Sequence, residues 1–103
     1  MEHQAQRRMT PLHFAAGAGS VKAVASILEQ GVDVNTPAEH DWTPLHFAAA
    51  WGRQSVVELL LSRGADVDAR TAHGQTPLGV AVRYGRGGVA ELLGQRSDPP
   101  GIQ

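Results

Sequence analysis

One seven-residue motif recurs at a fixed interval along this chain, and it constrains the fold more than any other feature of the sequence. The letters TPLHFAA occupy residues 10–16 and 43–49, and the related letters TPLGVAV occupy residues 76–82. The motif therefore returns every 33 residues. A fixed period of this length indicates an array of structural repeats, each of which is too small to bury a core alone.

Each period reads as a pair of helices. A Thr followed by a Pro begins the first helix at Pro11, Pro44 and Pro77, because Thr caps helices well and Pro is favoured at their first position. A second helix follows in the first two periods, with an apolar stripe at i, i+3 and i+4 spacing. The stripe consists of Val24, Ile27 and Leu28 in one period and of Val57, Leu60 and Leu61 in the next. Such pairs bury both of their faces only when they stack on one another.

These motifs resemble the ankyrin repeat family over nearly the whole chain. The resemblance rests on the TPLH segments, on the glycine after each first helix, and on the tails GVDVN and GADVD at residues 31–35 and 64–68. It implies an all-α fold, a short ankyrin-repeat solenoid of stacked helix-turn-helix units with projecting β-hairpin loops. It divides the chain into a tail at residues 1–4, repeats at 5–37 and 38–70, and a third repeat at 71–103 that is a degenerate C-terminal cap and tail.

Composition argues against several classes of function. The formal net charge is -1 and no dense basic run is present, so we expect no nucleic acid partner. No apolar run approaches the roughly 20 residues that span a bilayer, so we expect no membrane partner. Without cysteine the chain has no disulfide and no thiolate metal site, and we expect a cytoplasmic protein. The abundance of Ala, Gly and Arg points to a bacterial source.

The histidines of the TPLH segments look chemical but are expected to be structural. His13 and His46 lie one period apart, so their side chains run parallel on neighbouring helices and do not converge on a metal. The family resemblance implies that they hydrogen-bond within the TPLH turn, together with Thr10, Thr43 and Thr76. No catalytic arrangement stands out elsewhere, and we therefore expect a non-catalytic protein without a cofactor or a metal.

The aromatic residues divide between core and surface. We expect Phe14 and Phe47 to pack in the interior, whereas the other three aromatics belong to neither buried stripe. The resemblance implies that the loop tips and the exposed side of the first helices form a concave face that binds protein partners. The candidate patch on that face is Trp42, Trp51, Tyr84, Arg7, His40, Arg53, Arg70, His73, Gln75, Arg83 and Arg86. Aromatics and Arg are the types enriched at interface hot spots. The alternative for Trp51 and Tyr84 is that they stack on each other across repeats and shield the groove, which is compatible with binding.

Three functions are consistent with this sequence. The leading hypothesis is a monomeric interaction module, acting as an adaptor or as a regulatory or inhibitory subunit, whose partner is another protein. The alternative, for which weak self-association is sufficient, is a structural or assembly protein whose chains associate end to end through the exposed faces of the terminal repeats. A more remote alternative is a small-ligand binder or an enzyme.

Overall fold

The computed structural model describes residues 8–96, in which three helix pairs follow one another along the chain. The pairs are α1 (Pro11–Ala18) with α2 (Val21–Glu29), α3 (Pro44–Ala50) with α4 (Gln54–Ser62), and α5 (Pro77–Arg83) with α6 (Gly87–Arg96). The first helix of every pair begins at the proline that follows the capping Thr, as the sequence predicts. The all-α solenoid is therefore confirmed.

The pairs stack in register, helix upon equivalent helix. Among the first helices α3 packs between α1 and α5, and among the second helices α4 packs between α2 and α6. Small side chains line the contact between first helices, and they allow the close approach of the backbones that the motif predicts. The fully buried alanines of the first helices are Ala16, Ala48, Ala49 and Ala81, and the fully buried larger side chains include Val24, Leu45, Val57, Leu60 and Leu93.

Two tight loops precede the second and third helix pairs. In the first loop the Ala38 N–H donates to the Trp42 carbonyl at 2.7 Å, and in the second the Thr71 N–H donates to the Gln75 carbonyl at 2.9 Å. The loops are joined by the Ala72 N–H, which donates to the His40 carbonyl at 2.8 Å. No residue between 8 and 96 forms a β-strand, so the expected hairpins occur here as closed turns. One closing bond per loop is too few for a ladder.

Burial of equivalent residues, which lie 33 positions apart, depends on the preceding repeat. We expected Phe14 in the interior, and this is wrong, because its side chain is 61% exposed. Phe47 is partly buried, and its ring meets the His13 ring edge-on at a centroid distance of 5.5 Å. Val80, the third equivalent, is fully buried. Phe47 thus packs on the repeat before it, whereas Phe14 lacks this cover because no helix precedes α1 within residues 8–96.

Replacing either of two glycines of the third repeat with Ala is expected to have opposite effects on stability. Gly94 lies within α6 and a Cβ added there meets open space, so Gly94→Ala is expected to raise the free energy of unfolding by about 1 kcal/mol through helix propensity. Gly85 also has open space but its φ is +72°, so Gly85→Ala is expected to lower that free energy by about 1 to 2 kcal/mol. Urea denaturation followed by circular dichroism measures both, and the same sign for both would contradict the geometry of this repeat.

Candidate functional site

The first loop is held in a backbone conformation that its residues rarely adopt. His40 and Asp41 have φ values of +59° and +63°, whereas the position equivalent to Asp41 is Gly74, with a φ of +80°. In residues other than glycine, such left-handed geometry persists only where the surrounding structure enforces it, and it is common at functional sites. The closing bonds of the two loops supply that enforcement. As a result the rings of His40 and His73 lie side by side, 5.9 Å between centroids.

A groove of about 530 Å³ opens between the two loops and the end of α5, and we call it the polar groove. Its lining is His40, Trp42, His73, Gln75, Arg83 and Tyr84. All six residues are members of the patch predicted from the sequence, and the fold brings them to one surface. Every side chain in the lining carries an N–H or O–H donor, so the groove is suited to a hydrogen-bond acceptor.

A second groove, which we call the apolar groove, continues from the first along the exposed sides of α3 and α5. It measures about 270 Å³, and its lining is Trp42, Phe47, Ala50, Trp51, Tyr84 and Arg86. Trp51 is 56% exposed and Tyr84 is 50% exposed. Among residues 8–96 the two rings do not stack on each other, and Trp51 packs instead against α1, where a Cβ added to Gly17 would lie 3.3 Å from the Trp51 Cδ1.

A third concavity, the N-terminal groove, has a volume of about 280 Å³ and lies on the other side of Trp42. Its lining is Met9, Ala38, Glu39, His40, Trp42 and Phe47. Trp42 thus lines all three grooves. Its ring is fixed from behind, since its centroid is 5.1 Å from that of Phe47 and 5.6 Å from that of His46. A partly buried, packed indole at the junction of three grooves has the placement of an interface anchor.

Two arginines of the predicted patch brace neighbouring repeats. The Arg53 Nε donates to the Gly17 carbonyl at 2.8 Å, and the Arg86 Nε donates to the Ala50 carbonyl, one repeat later, also at 2.8 Å. Both acceptors lie in the last turn of a first helix, where carbonyls lack helical partners. The side chain of Arg53 passes so close to Gly19 that a Cβ there would lie 2.8 Å from the Arg53 Cδ. These arginines therefore have a role within the solenoid itself.

The remaining patch residues lie apart from the grooves. The Arg70 Nη1 is 3.5 Å from the Gly74 carbonyl, and Arg70 lines none of the three grooves. Arg7 lies outside the residues that the structure describes.

Some lining residues were absent from the predicted patch. The sequence predicts Phe47 in the core, but its ring borders two of the grooves. The TPLHFAA motif alone does not reveal that this position is only partly covered. Met9 carried a usable signal, since it is the equivalent of Trp42 in the preceding repeat. Nothing in the sequence indicates that the remaining lining residues, which are Ala38, Glu39 and Ala50, border a groove.

Buried histidines tie the first helices to the loops behind this surface. The His46 Nδ1 accepts from the Thr43 N–H at 3.1 Å, so the proton is on Nε2, which donates to the Gln75 carbonyl at 2.9 Å. His13 repeats the pattern, with its Nδ1 accepting from the Thr10 N–H at 3.0 Å and its Nε2 donating to the Thr36 carbonyl at 2.8 Å. The expected hydrogen bonds within the TPLH turn are present, as is the corresponding bond from the Gly79 N–H to the Thr76 Oγ1, at 3.1 Å.

Burial lowers the pKa of His13 and of His46 below the ordinary value of 6.5. The hydrogen bonds to backbone carbonyls oppose this shift without overcoming it. Both rings are therefore neutral in the folded protein near neutral pH, which the tautomer in the hydrogen-bond network also requires.

The part of the chain that the structure describes contains neither a cluster suited to a metal ion nor a helix that could span a membrane. Among residues 8–96 there is no group of three or more His, Asp or Glu side chains that could hold a metal ion. None of the helices in that range has the length and the apolar character needed to cross a bilayer.

Comparison with known protein families gives a match over most of the chain. The family model described as ankyrin repeats, in three copies, matches residues 1–71 of this chain. No curated protein matches the chain. The family match includes the first loop, α3 and α4, and the α5–α6 pair lies beyond it.

The buried histidines predict a stability that decreases in mild acid. Because their pKa is lowered in the folded state, their contribution is fully present above the unfolded-state pKa of 6.5 and is lost as pH falls from there through the folded-state pKa. Urea denaturation at several pH values measures this, and His46→Gln, which retains an acceptor for the Thr43 N–H, is expected to remove roughly half of the decrease. His73→Gln changes an exposed histidine and serves as the control. Equal stability at about pH 8 and about pH 5 would contradict the prediction.

Proposed function

Since this chain belongs to the ankyrin repeat family, we propose that it binds another protein through the concave face formed by its loops and first helices. Ankyrin repeats are generally protein–protein interaction modules. We further propose that the protein acts in the cytoplasm, without catalysing a reaction, either as an adaptor or as a regulatory or inhibitory subunit.

Trp42 lies at the junction of the three grooves, and this position supports the proposal most directly. Exposed aromatic surface of Trp51 and Tyr84 lies next to it, and its own ring is held by Phe47 and His46. A rigid aromatic anchor loses little conformational entropy on binding, and anchors of this kind dominate the affinity of protein interfaces.

The concave face is tested by two aromatic truncations and a matched control. Trp42→Ala and Trp51→Ala are each expected to weaken partner binding by about 2 kcal/mol or more, which is roughly thirtyfold in Kd. Phe14→Ala removes an aromatic side chain that is about as exposed as Trp51 but lines none of the three grooves, so it is expected to leave binding unchanged. Pull-down from a native lysate, followed by titration of the captured partner, provides the measurement. Circular dichroism confirms that each variant is folded.

If Trp42→Ala and Trp51→Ala both retained the fold and the full affinity for the partner, the assignment of the concave face would be lost. If Phe14→Ala alone abolished capture, the binding surface would instead lie at the end of the stack.

A second candidate function, end-to-end association of chains, is favoured by exposed apolar side chains at both ends of the stack. Phe14 is exposed at the start, although its equivalents Phe47 and Val80 are covered by a preceding repeat. Val82 is 63% exposed at the other end, although its equivalents Ala16 and Ala49 are fully buried by a following repeat. A second copy stacked head to tail would cover both side chains, and such a contact propagates along an open chain of copies.

Sedimentation velocity distinguishes the two functions. End-to-end association requires a sedimentation coefficient that rises with protein concentration in the micromolar range, and Phe14→Ser or Val82→Ser is then expected to abolish the rise by removing apolar contact. A chain that remains monomeric across that range would eliminate this second candidate.

A further inference from the structure

The chemistry of the concave face defines the kind of segment that it accepts. The polar groove contains the guanidinium of Arg83 and the imidazoles of His40 and His73, and no carboxylate belongs to its lining within residues 8–96. Arg83 forms no ion pair with any other residue in that range. Histidine rings provide an N–H donor in either protonation state. An unpaired guanidinium beside two such rings is complementary to a carboxylate, with which Arg forms its strongest hydrogen bonds.

The neighbouring groove has a different chemistry. The apolar groove presents the rings of Trp51 and Phe47 and the methyl group of Ala50. A large apolar side chain fits this surface better than a charged one does, because its burial removes apolar area from water on both partners. The volume of about 270 Å³ is sufficient for one aromatic or branched aliphatic side chain.

The two grooves are adjacent, and this limits the spacing of the two side chains they hold. Trp42 and Tyr84 belong to both linings, so a single wall of two rings separates one groove from the other. In an extended segment, side chains that point to the same face are two residues and about 7 Å apart. A carboxylate and an apolar side chain at that spacing can therefore enter the two grooves together.

From this geometry we propose that the concave face binds a short extended segment of a partner protein, in which Asp or Glu lies within about two residues of a large apolar residue. The carboxylate is held by Arg83 between the two loops, and the apolar side chain packs beside Trp51. This inference rests on the proposed function, because it specifies the segment that the same surface recognises.

The test uses the full chain and a phage-displayed library of random linear peptides. Peptides are selected on immobilised wild-type protein, resynthesised with a fluorophore, and titrated by fluorescence anisotropy against the wild-type chain and its variants. Arg83→Glu reverses the charge in the polar groove. Arg63→Glu is the matched control, because Arg63 is an exposed arginine at the C-terminal end of α4, as Arg83 is at the C-terminal end of α5, but it lines none of the three grooves.

The expected peptides carry an acidic residue about two positions from an aromatic or aliphatic residue. Arg83→Glu is expected to weaken their binding by about tenfold or more, and Arg63→Glu by less than about twofold. Replacing the acidic residue of the peptide with Lys is expected to restore binding to Arg83→Glu and to abolish it for the wild-type chain. Such a charge exchange places the carboxylate next to Arg83.

Failure of this inference differs from failure of the proposed function. Selected peptides that lack acidic residues, or that bind Arg83→Glu normally, overturn the inference if their binding is still lost in Trp42→Ala. Peptides that bind Trp42→Ala and Trp51→Ala as they bind the wild type overturn both the inference and the concave face. If no peptide is enriched, recognition of a short segment is overturned, and the lysate experiment alone decides whether the face binds a folded partner.

Discussion

The hydrogen bonds of the buried TPLH histidines hold the rest of this structure in place. His46 is fully buried, and it joins the Thr43 backbone at the start of one helix to the Gln75 carbonyl of the next loop. Both nitrogens of the ring are used, so the ring has one tautomer and one orientation. Leaving such a buried group without partners costs about 1 to 3 kcal/mol, a large fraction of the stability of a small domain. The loops are thereby hydrogen-bonded to the helical stack.

A fixed loop is what gives the concave face a defined shape. The loops are short, and two hydrogen bonds retain the left-handed backbone at His40. The Ala72 N–H donates to the His40 carbonyl, and the Ala38 N–H closes the loop by donating to the Trp42 carbonyl. Behind the apolar groove, Arg86 and Arg53 secure the ends of the first helices. The aromatic rings of the face thus project from a framework whose every layer is hydrogen-bonded to the next. Binding to a preformed surface of this kind loses less conformational entropy than binding to flexible loops.

The repeat pattern predicts which residues are equivalent in successive repeats more reliably than it predicts how deeply each of them is buried. Because equivalent residues fall in register, six residues selected from the sequence do line one groove, and the helix starts lie at Pro11, Pro44 and Pro77. The same pattern fails for Phe14, since an identical TPLHFAA motif is covered in one repeat and exposed in the other. Coverage is a property of the neighbouring repeat, and a motif contains no information about its neighbour.

The sequence by itself determined the period, the helix pairs, the small side chains between first helices, and the six polar and aromatic residues that line the polar groove. It could do so because capping, helix periodicity and repeat spacing are local or strictly periodic. Only the tertiary structure decided that Trp42 stands at the junction of three grooves, that Arg53 and Arg86 brace the stack, and that Arg83 remains unpaired within residues 8–96. These outcomes depend on which atoms of adjacent repeats meet, and that depends on stacking geometry beyond the reach of any local pattern.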